Sequence, residues 1–353
     1  MLKELLLSPL SPWQNGSGEH ADIVIDSRVR LNRNLKKYVF PARASEGELA
    51  AVLAEVQRCQ GTLDTLGKGQ YDFLSLADAT PAERDMLAVK HLSSPEHLKT
   101  VKDRGVLVRE DGGAAILVNE EDHVVIQTSA PGLNLEKAWA DANSIDDALE
   151  GRLDFAFRDD VGYLTSSPSL TGTGLSVGVT IHIPALVLRK RLSSIVQGVS
   201  KFGFNVSGLY GEGREWLGDV FQITNQITLG VSEKELLDQL NKIVAQIIRE
   251  EENSRKLLWT HNASELRDKW LRTYGILQHA WLLEDQETLT MVGYLRFGID
   301  MGIIPLQPLA YEALMTVIEP AYLQLKTGKE LNGEDLEHAR AEAVQDILAR
   351  YAK

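Results

Sequence analysis

Cysteine, positive charge and long apolar runs are all scarce in this chain, and each shortage removes a class of protein. A single cysteine, Cys59, has no partner for an internal disulfide, so a cross-linked secreted scaffold is excluded. It lies in LAAVLAEVQRCQ, whose apolar residues recur at helical spacing, which marks a packed or half-exposed thiol rather than a reactive one. Acidic residues outnumber basic ones by 50 to 37 and leave a formal charge of −13. So negative a chain does not present a general surface for nucleic acid or phosphate, and any anion site has to be local. Apolar stretches such as Ile181 to Leu188 contain His182 and Pro184 and fall far short of the roughly 20 residues of a membrane span. The N-terminal apolar patch is interrupted by Glu4 and no small-residue cleavage site follows it, so a cytoplasmic protein is expected.

What is present is the composition of an ordinary folded protein, 44% hydrophobic and 25% charged, in 353 residues. That length exceeds what one hydrophobic core usually serves, so a large domain and a smaller one are expected. ADIVIDSRV, from Ala21 to Val29, alternates like a strand and delivers Arg28 and Arg30 to one face. Ser45 to Gly61 has helical spacing with Ser45 as N-cap and Glu48 at the capping-box position, and Pro81 to His91 reads as another helix. GVLVRED, GGAAILVNE and HVVIQ are short β-rich runs, with Gly112 and Gly113 placed for a hairpin. Leu135 to Leu153 reads as a long helix, VGYLTSSP and SVGVTIHIPAL as strands flanking Ser169 to Gly174, and Ser232 to Trp259 as one long helix. Past Thr260 strand signals nearly stop, which divides the chain into residues 1–259 and a helical region of residues 260–353.

Four local groups carry possible chemistry. Arg28 and Arg30 form either a fork for phosphate oxygens or a solvated strand face. NEEDH, Asn119 to His123, is either a charged turn or a set of carboxylates that holds a cation or takes a proton. SSPSLTGTG, Ser166 to Gly174, offers hydroxyls and backbone donors beside a turn, although one Gly-rich loop is weak evidence of an anion cradle. GLYGEG sets Glu212 between glycines, as a gating loop or a plain surface loop would. Their joint order says more than any of them singly.

SRVRLNRNL, NEEDH, GYLTSSPSLTGTG, HIPAL and GLYGEG followed by FQITNQITLGVSE fall in the order and at the spacing of the bacterial protein-arginine kinases, and the chain resembles that family from about Asp22 to Leu258. The resemblance implies an α+β fold: the phosphagen-kinase catalytic domain, a largely antiparallel sheet flanked by helices, followed by a helical domain for dimer formation and phosphoarginine binding. It implies phosphoryl transfer from ATP, with Mg, to the guanidinium of an arginine in a protein. Catalysis of that kind rests on positioning and on neutralising phosphoryl charge. By the same resemblance Arg28 and Arg30 contact phosphate, Glu121 and Glu212 orient the guanidinium and accept its proton, Ser167 stands beside it, and His182 lies near the nucleotide base. The partners implied are a protein with an exposed arginine, a second copy in a homodimer, and a Clp-type unfoldase or a zinc-binding activator.

The departures from the family fall on chemistry. NEEDH is followed in the family by a hydrophobic residue and an arginine, here by Val124 and Val125. Ser167 replaces the cysteine of a Cys-Pro pair, Leu170 an asparagine, Ser176 the arginine after TGTGL, and Ser207 the arginine of Val-Arg-Gly. Arg189, Lys190 and Arg214 are nearby basic residues, but none occupies a matching position. In the helical region the Arg-Asp-x-x-Arg-Ala pattern has become Leu336 to Ala341, with Arg340 as the surviving basic residue. A charge-assisted contact is worth about 1.5–3 kcal/mol and a transition-state arginine about 10³–10⁵ in rate, so losing three phosphate arginines predicts a pseudokinase that acts by binding or regulation. The alternatives are an active ATP:guanidino phosphotransferase with a rearranged phosphate site, and a structural assembly subunit.

Overall fold

The computed structural model describes residues 1–208 and 217–353. In chain order its elements are α1 (Leu2–Leu7), β1 (Val24–Arg33), α2 (Glu46–Arg58), α3 (Gln60–Asp64), β2 (Tyr71–Ser75), α4 (Pro81–Val89), α5 (Pro95–Leu98), β3 (Gly105–Arg109), β4 (Ala114–Val118), β5 (Val124–Pro131) and α6 (Leu135–Glu150). A two-stranded ribbon follows, β6 (Phe157–Arg158) with β7 (Gly162–Tyr163), and then β8 (Leu175–His182), α7 (Pro184–Leu188), α8 (Leu192–Ser200), β9 (Phe204–Gly208), β10 (Val220–Asn225) and α9 (Glu233–His279). The chain closes with α10 (Asp285–Asp300), α11 (Ala310–Val317), α12 (Pro320–Thr327) and α13 (Gly333–Arg350).

Eight strands form one sheet in the order β2-β3-β4-β5-β1-β8-β10-β9, and every pairing in it is antiparallel. The expected α+β architecture is borne out. The β3–β4 hairpin turns at Gly112, whose φ of 71° suits glycine; the Asp111 carboxylate accepts the Gly113 N–H at 2.8 Å and two donors of Arg109. Ser45 and Glu48 make the expected capping box on α2.

Alternation along each strand sorts the two faces. One face sends Val29, Leu31, Ile116, Ile126, Val177 and Ile223 into a core shared with α2, α6, α8 and the first half of α9. The other sends Val106, Val108, Ala115, Leu117 and Val125 into a second core built with α1, α4 and the C-terminal helices. The helical region therefore shares its core with the sheet. At its other end β8 slips His182 under α10 and α11, where it meets Asp300 and Tyr311.

Helix α9 runs past the expected end at Trp259 and carries the chain across the position where two domains were expected to meet. Beyond Trp259 the helix does not end but kinks at Asn262 (φ −129°, ψ 20°). The helix resumes because Leu266, Trp270 and Leu277 bury against the second core. Just before the kink, Glu251 accepts the N–H groups of Ala185 and Leu186 at 3.1 and 2.9 Å, and Arg255 binds both Glu251 and Asp22. Among the described residues no helix is long and apolar enough to cross a membrane.

Candidate functional site

Arg28, Arg30 and Asn32 occupy alternate positions of β1 and so share one face of the sheet, the face that also carries Val125 of the second core. Strand register brings the altered positions to the same face. Ser176 of β8 stands opposite Arg30, and Val125 of β5 opposite Asn32. A further row runs from Asp26 through Thr180 and Gln222 to Ser207. Val125, Ser176 and Ser207, scattered along the sequence, thus surround the two surviving arginines.

Both arginines are already engaged. Arg28 makes a bidentate pair with Asp26, at 2.8 and 2.7 Å, and Asp26 also accepts the Thr180 hydroxyl at 2.9 Å. Arg30 pairs with Glu120, which accepts in addition the Ser94 hydroxyl and the Glu121 N–H. Burial alone would raise the pKa of Glu120; Arg30 outweighs it and holds the carboxyl below its ordinary range. Where a third arginine would stand, Val125 is sealed in the apolar core. A phosphate needs unpaired donors, and among the described residues Arg28 and Arg30, as paired here, do not offer them.

The NEEDH turn divides into scaffold and site. Asp122 is fully buried and accepts Asn32 at 2.8 Å, Asn34 at 2.5 Å and the Ser166 N–H at 2.7 Å. His123 accepts the Leu35 N–H on Nδ1, while Nε2 lies 3.1 Å from the Val39 carbonyl. Glu121 is exposed, and its carboxylate has no hydrogen bond among the described residues. Partial burial, followed by the charges of Asp122 and Glu120, raises its pKa. Such a carboxylate is short of a cation.

Glu121 lines a cavity of about 700 Å³ with Arg30, Asn32, Arg104, Leu170 and Ser176. A neighbouring cavity of about 270 Å³ holds Arg28, Arg30, Ser176, Gln222 and Thr224. Four positions singled out from the sequence thus meet in the larger cavity: Arg30, Glu121, Leu170 and Ser176. Ser167 is placed outside it, with its hydroxyl 2.9 Å from that of Ser169. Glu212 and Arg214 lie outside the described residues. His182 is placed differently from its expected role near a nucleotide base. It is fully buried, stacked on Tyr311 and 4.0 Å from Asp300. Burial, with Arg296 and Arg255, drives its pKa well below the ordinary value. Its ring has no face open to a ligand. Arg189, considered as a substitute, donates to Ser254 of α9.

Arg104 is a residue of this cavity that belongs to no motif, and Glu120 is one of three adjacent acids with a shared candidate role. Glu120 stands inside NEEDH, and only the tertiary fold shows it taking Arg30. In the helical region Arg340 points inward and donates to the carbonyls of Ile318 and Leu283 at 2.9 and 2.7 Å. It serves as a staple between loops and offers no open clamp for phosphate.

Comparison with known proteins agrees with this fold. The family model of the ATP:guanido phosphotransferase C-terminal catalytic domain matches residues 55–254, and that of the protein-arginine kinase McsB C-terminal domain matches residues 263–353. The protein-arginine kinase of Halothermothrix orenii is 40% identical over 98% of this chain and 99% of its own length. That of Brevibacillus brevis is 38% identical over 98% and 97%. Among solved structures, lombricine kinase superposes with a TM-score of 0.58 at 22% identity, covering 69% of this chain and 71% of its own, a likeness of fold. With an antiparallel sheet of this order, the NEEDH turn beside two β1 arginines and near-full-length relatives, the chain belongs to the ATP:guanido phosphotransferase family, in its protein-arginine kinase branch.

Proposed function

We propose that this member of the family is a pseudokinase, which binds an arginine guanidinium at Glu121 and does not transfer phosphate to it. The observation that carries this reading is the fate of the positive charge: Arg28 and Arg30 are each spent on a buried carboxylate, Asp26 and Glu120, and Val125 fills a third position with apolar core. Phosphoryl transfer depends on guanidinium and metal charge neutralising the transferred group. Glu121, in contrast, has no hydrogen bond to its carboxylate among the described residues and lines a cavity, and a guanidinium offers such a carboxylate a planar fork of donors.

Two measurements test it. Mg-ADP should shift thermal unfolding little, whereas a ligand present at 100 times its Kd would add about 2.7 kcal/mol; a large shift counts against the reading. Incubation with ATP and an arginine-rich protein should yield no acid-labile phosphate. Turnover that vanishes in Glu121→Gln would establish an active phosphotransferase instead.

The same reading includes cytoplasmic location, a partner protein with an exposed arginine, an unfoldase or kinase activator as associate, and self-association through the helical region. The exposed Leu271, Ile276 and Trp281 near the end of α9 support the last. Light scattering should show a dimer at micromolar concentration, and a monomer would remove that element of the proposal.

A further inference from the structure

The large cavity holds charge of both signs, and its cationic half is not explained by the guanidinium site. Arg30 and Arg104 line it together with Glu96, Glu120 and Glu121. Three of these five are paired: Arg30 with Glu120, and Glu96 with Lys99. Glu120 accepts Arg30, Ser94 and the Glu121 N–H and makes no hydrogen bond to Arg104 among the described residues, although its charge acts on that guanidinium. Arg104 makes one long hydrogen bond, 3.3 Å from Nη1 to the His97 carbonyl, and its Nε is buried without a partner. On the floor of the same cavity Asn32 is fully buried, and its Oδ1 is likewise without a partner. Buried polar atoms left unpaired are costly and rare, and two of them lining one cavity point to a ligand that supplies both a donor and an acceptor.

Resting on the reading of Glu121 as a guanidinium acceptor, we propose that this cavity recognises an arginine side chain together with a carboxylate carried on the same molecule, with Arg104 holding the carboxylate. The guanidinium donates to Glu121 and to Asn32 Oδ1. The carboxylate accepts from the Arg104 fork, which is planar and permanently charged. A doubly charged phosphate is disfavoured in the same place: three carboxylates line the cavity against two guanidinium groups, and Arg30 is already neutralised. Its size lies within the range of cavities that enclose small ligands. The carboxylate has two possible sources, a chain-terminal arginine or an acidic residue next to the arginine.

Calorimetric titration of the full chain with three probes tests this: N-acetyl-arginine, its methylamide, and N-acetyl-arginyl-aspartic acid α-methylamide, which keeps the side-chain carboxylate. One added charge-assisted pair should favour a carboxylate-bearing probe over the methylamide by about tenfold. An advantage for the first probe marks a terminal carboxylate, and an advantage for the third an acidic neighbour. Arg104→Gln should erase the advantage and leave methylamide binding within about twofold, while Arg104→Lys, which keeps the charge, should retain part of it. Unfolding midpoints of both variants verify that the fold is kept. Equal affinity of all probes for the unaltered chain, or an advantage that survives Arg104→Gln, overturns the inference while the guanidinium reading stands. If no arginine probe binds, both fall.

Discussion

At Val125 the side chain is closed in by Leu117 and Val106 of the second core, whereas Ser176 borders two cavities and Ser207 is half-buried toward the outer edge of the sheet. The three positions at which the family resemblance implies arginine are therefore not equally open to one. Val125→Arg buries an unpaired charge and should lower stability by about 3 kcal/mol or more in urea unfolding. Ser176→Arg and Ser207→Arg should each stay within about 1 kcal/mol, and together should increase the thermal shift with Mg-ADP. Glu121 adds a pH dependence. Its pKa is raised by partial burial and by Asp122 and Glu120, so it takes up a proton at a higher pH than an ordinary glutamate. Affinity for an arginine probe should begin to fall before pH reaches the ordinary value of 4.5, and Glu121→Gln should be weak throughout.

At the scale of elements, Asp122 joins three pieces that are far apart in sequence: the turn after β4, the Asn32–Asn34 end of β1, and the loop at Ser166. Ser166 returns the tie by donating its hydroxyl to the Glu121 carbonyl at 2.8 Å. The position of Glu121 is thus set by a neighbour that never faces the cavity. Asp122→Ala would strand two buried amide groups and should cost about 3 kcal/mol. Amide exchange at Ser166 should rise well beyond what global destabilisation explains, and equal exchange in both proteins would show that the loop is held by other contacts.

The whole molecule is coupled by the polar junction between β8, α9 and the C-terminal helices. Asp300 lies 3.7 Å from Arg296 and 4.0 Å from both Arg255 and His182, with Asp22 and Glu312 also acting on it. Burial pushes its pKa up to about 7 despite the two arginines. The folded chain then keeps a proton that the unfolded chain releases near 3.8, so this group's contribution is complete at low pH and is lost as pH rises toward 7. Its slope is at most about 1.4 kcal/mol per pH unit. His182 acts in the opposite sense, since its depressed pKa makes the folded state more favourable as pH rises toward 6.5, a gain that is complete above that value. The difference in stability between the unaltered chain and Asp300→Asn isolates the aspartate. That difference should decline from pH 5 to pH 8, and a flat difference would show that Asp300 is ionised throughout.

Much of this was legible in the sequence because it depends on local spacing. Alternation placed Arg28 and Arg30 on one face, the Ser45–Glu48 pair capped α2, and Gly112 turned the β3–β4 hairpin, each through interactions within a few residues. The order of the motifs likewise indicated the family, since it is a property of the chain alone. Burial and pairing were not legible, because they depend on partners brought together over long separations. Nothing local says that Glu120 closes on Arg30, 90 residues away, or that α9 continues past Thr260 because Trp270 finds a core to enter. His182 alternates like its neighbours on β8, and only the packing of α10 and Tyr311 over that strand end decides that its ring is enclosed. Sequence determined which side chains share a face, and the tertiary structure decided which of them remain free, since a charge is spent or available only according to what folds against it.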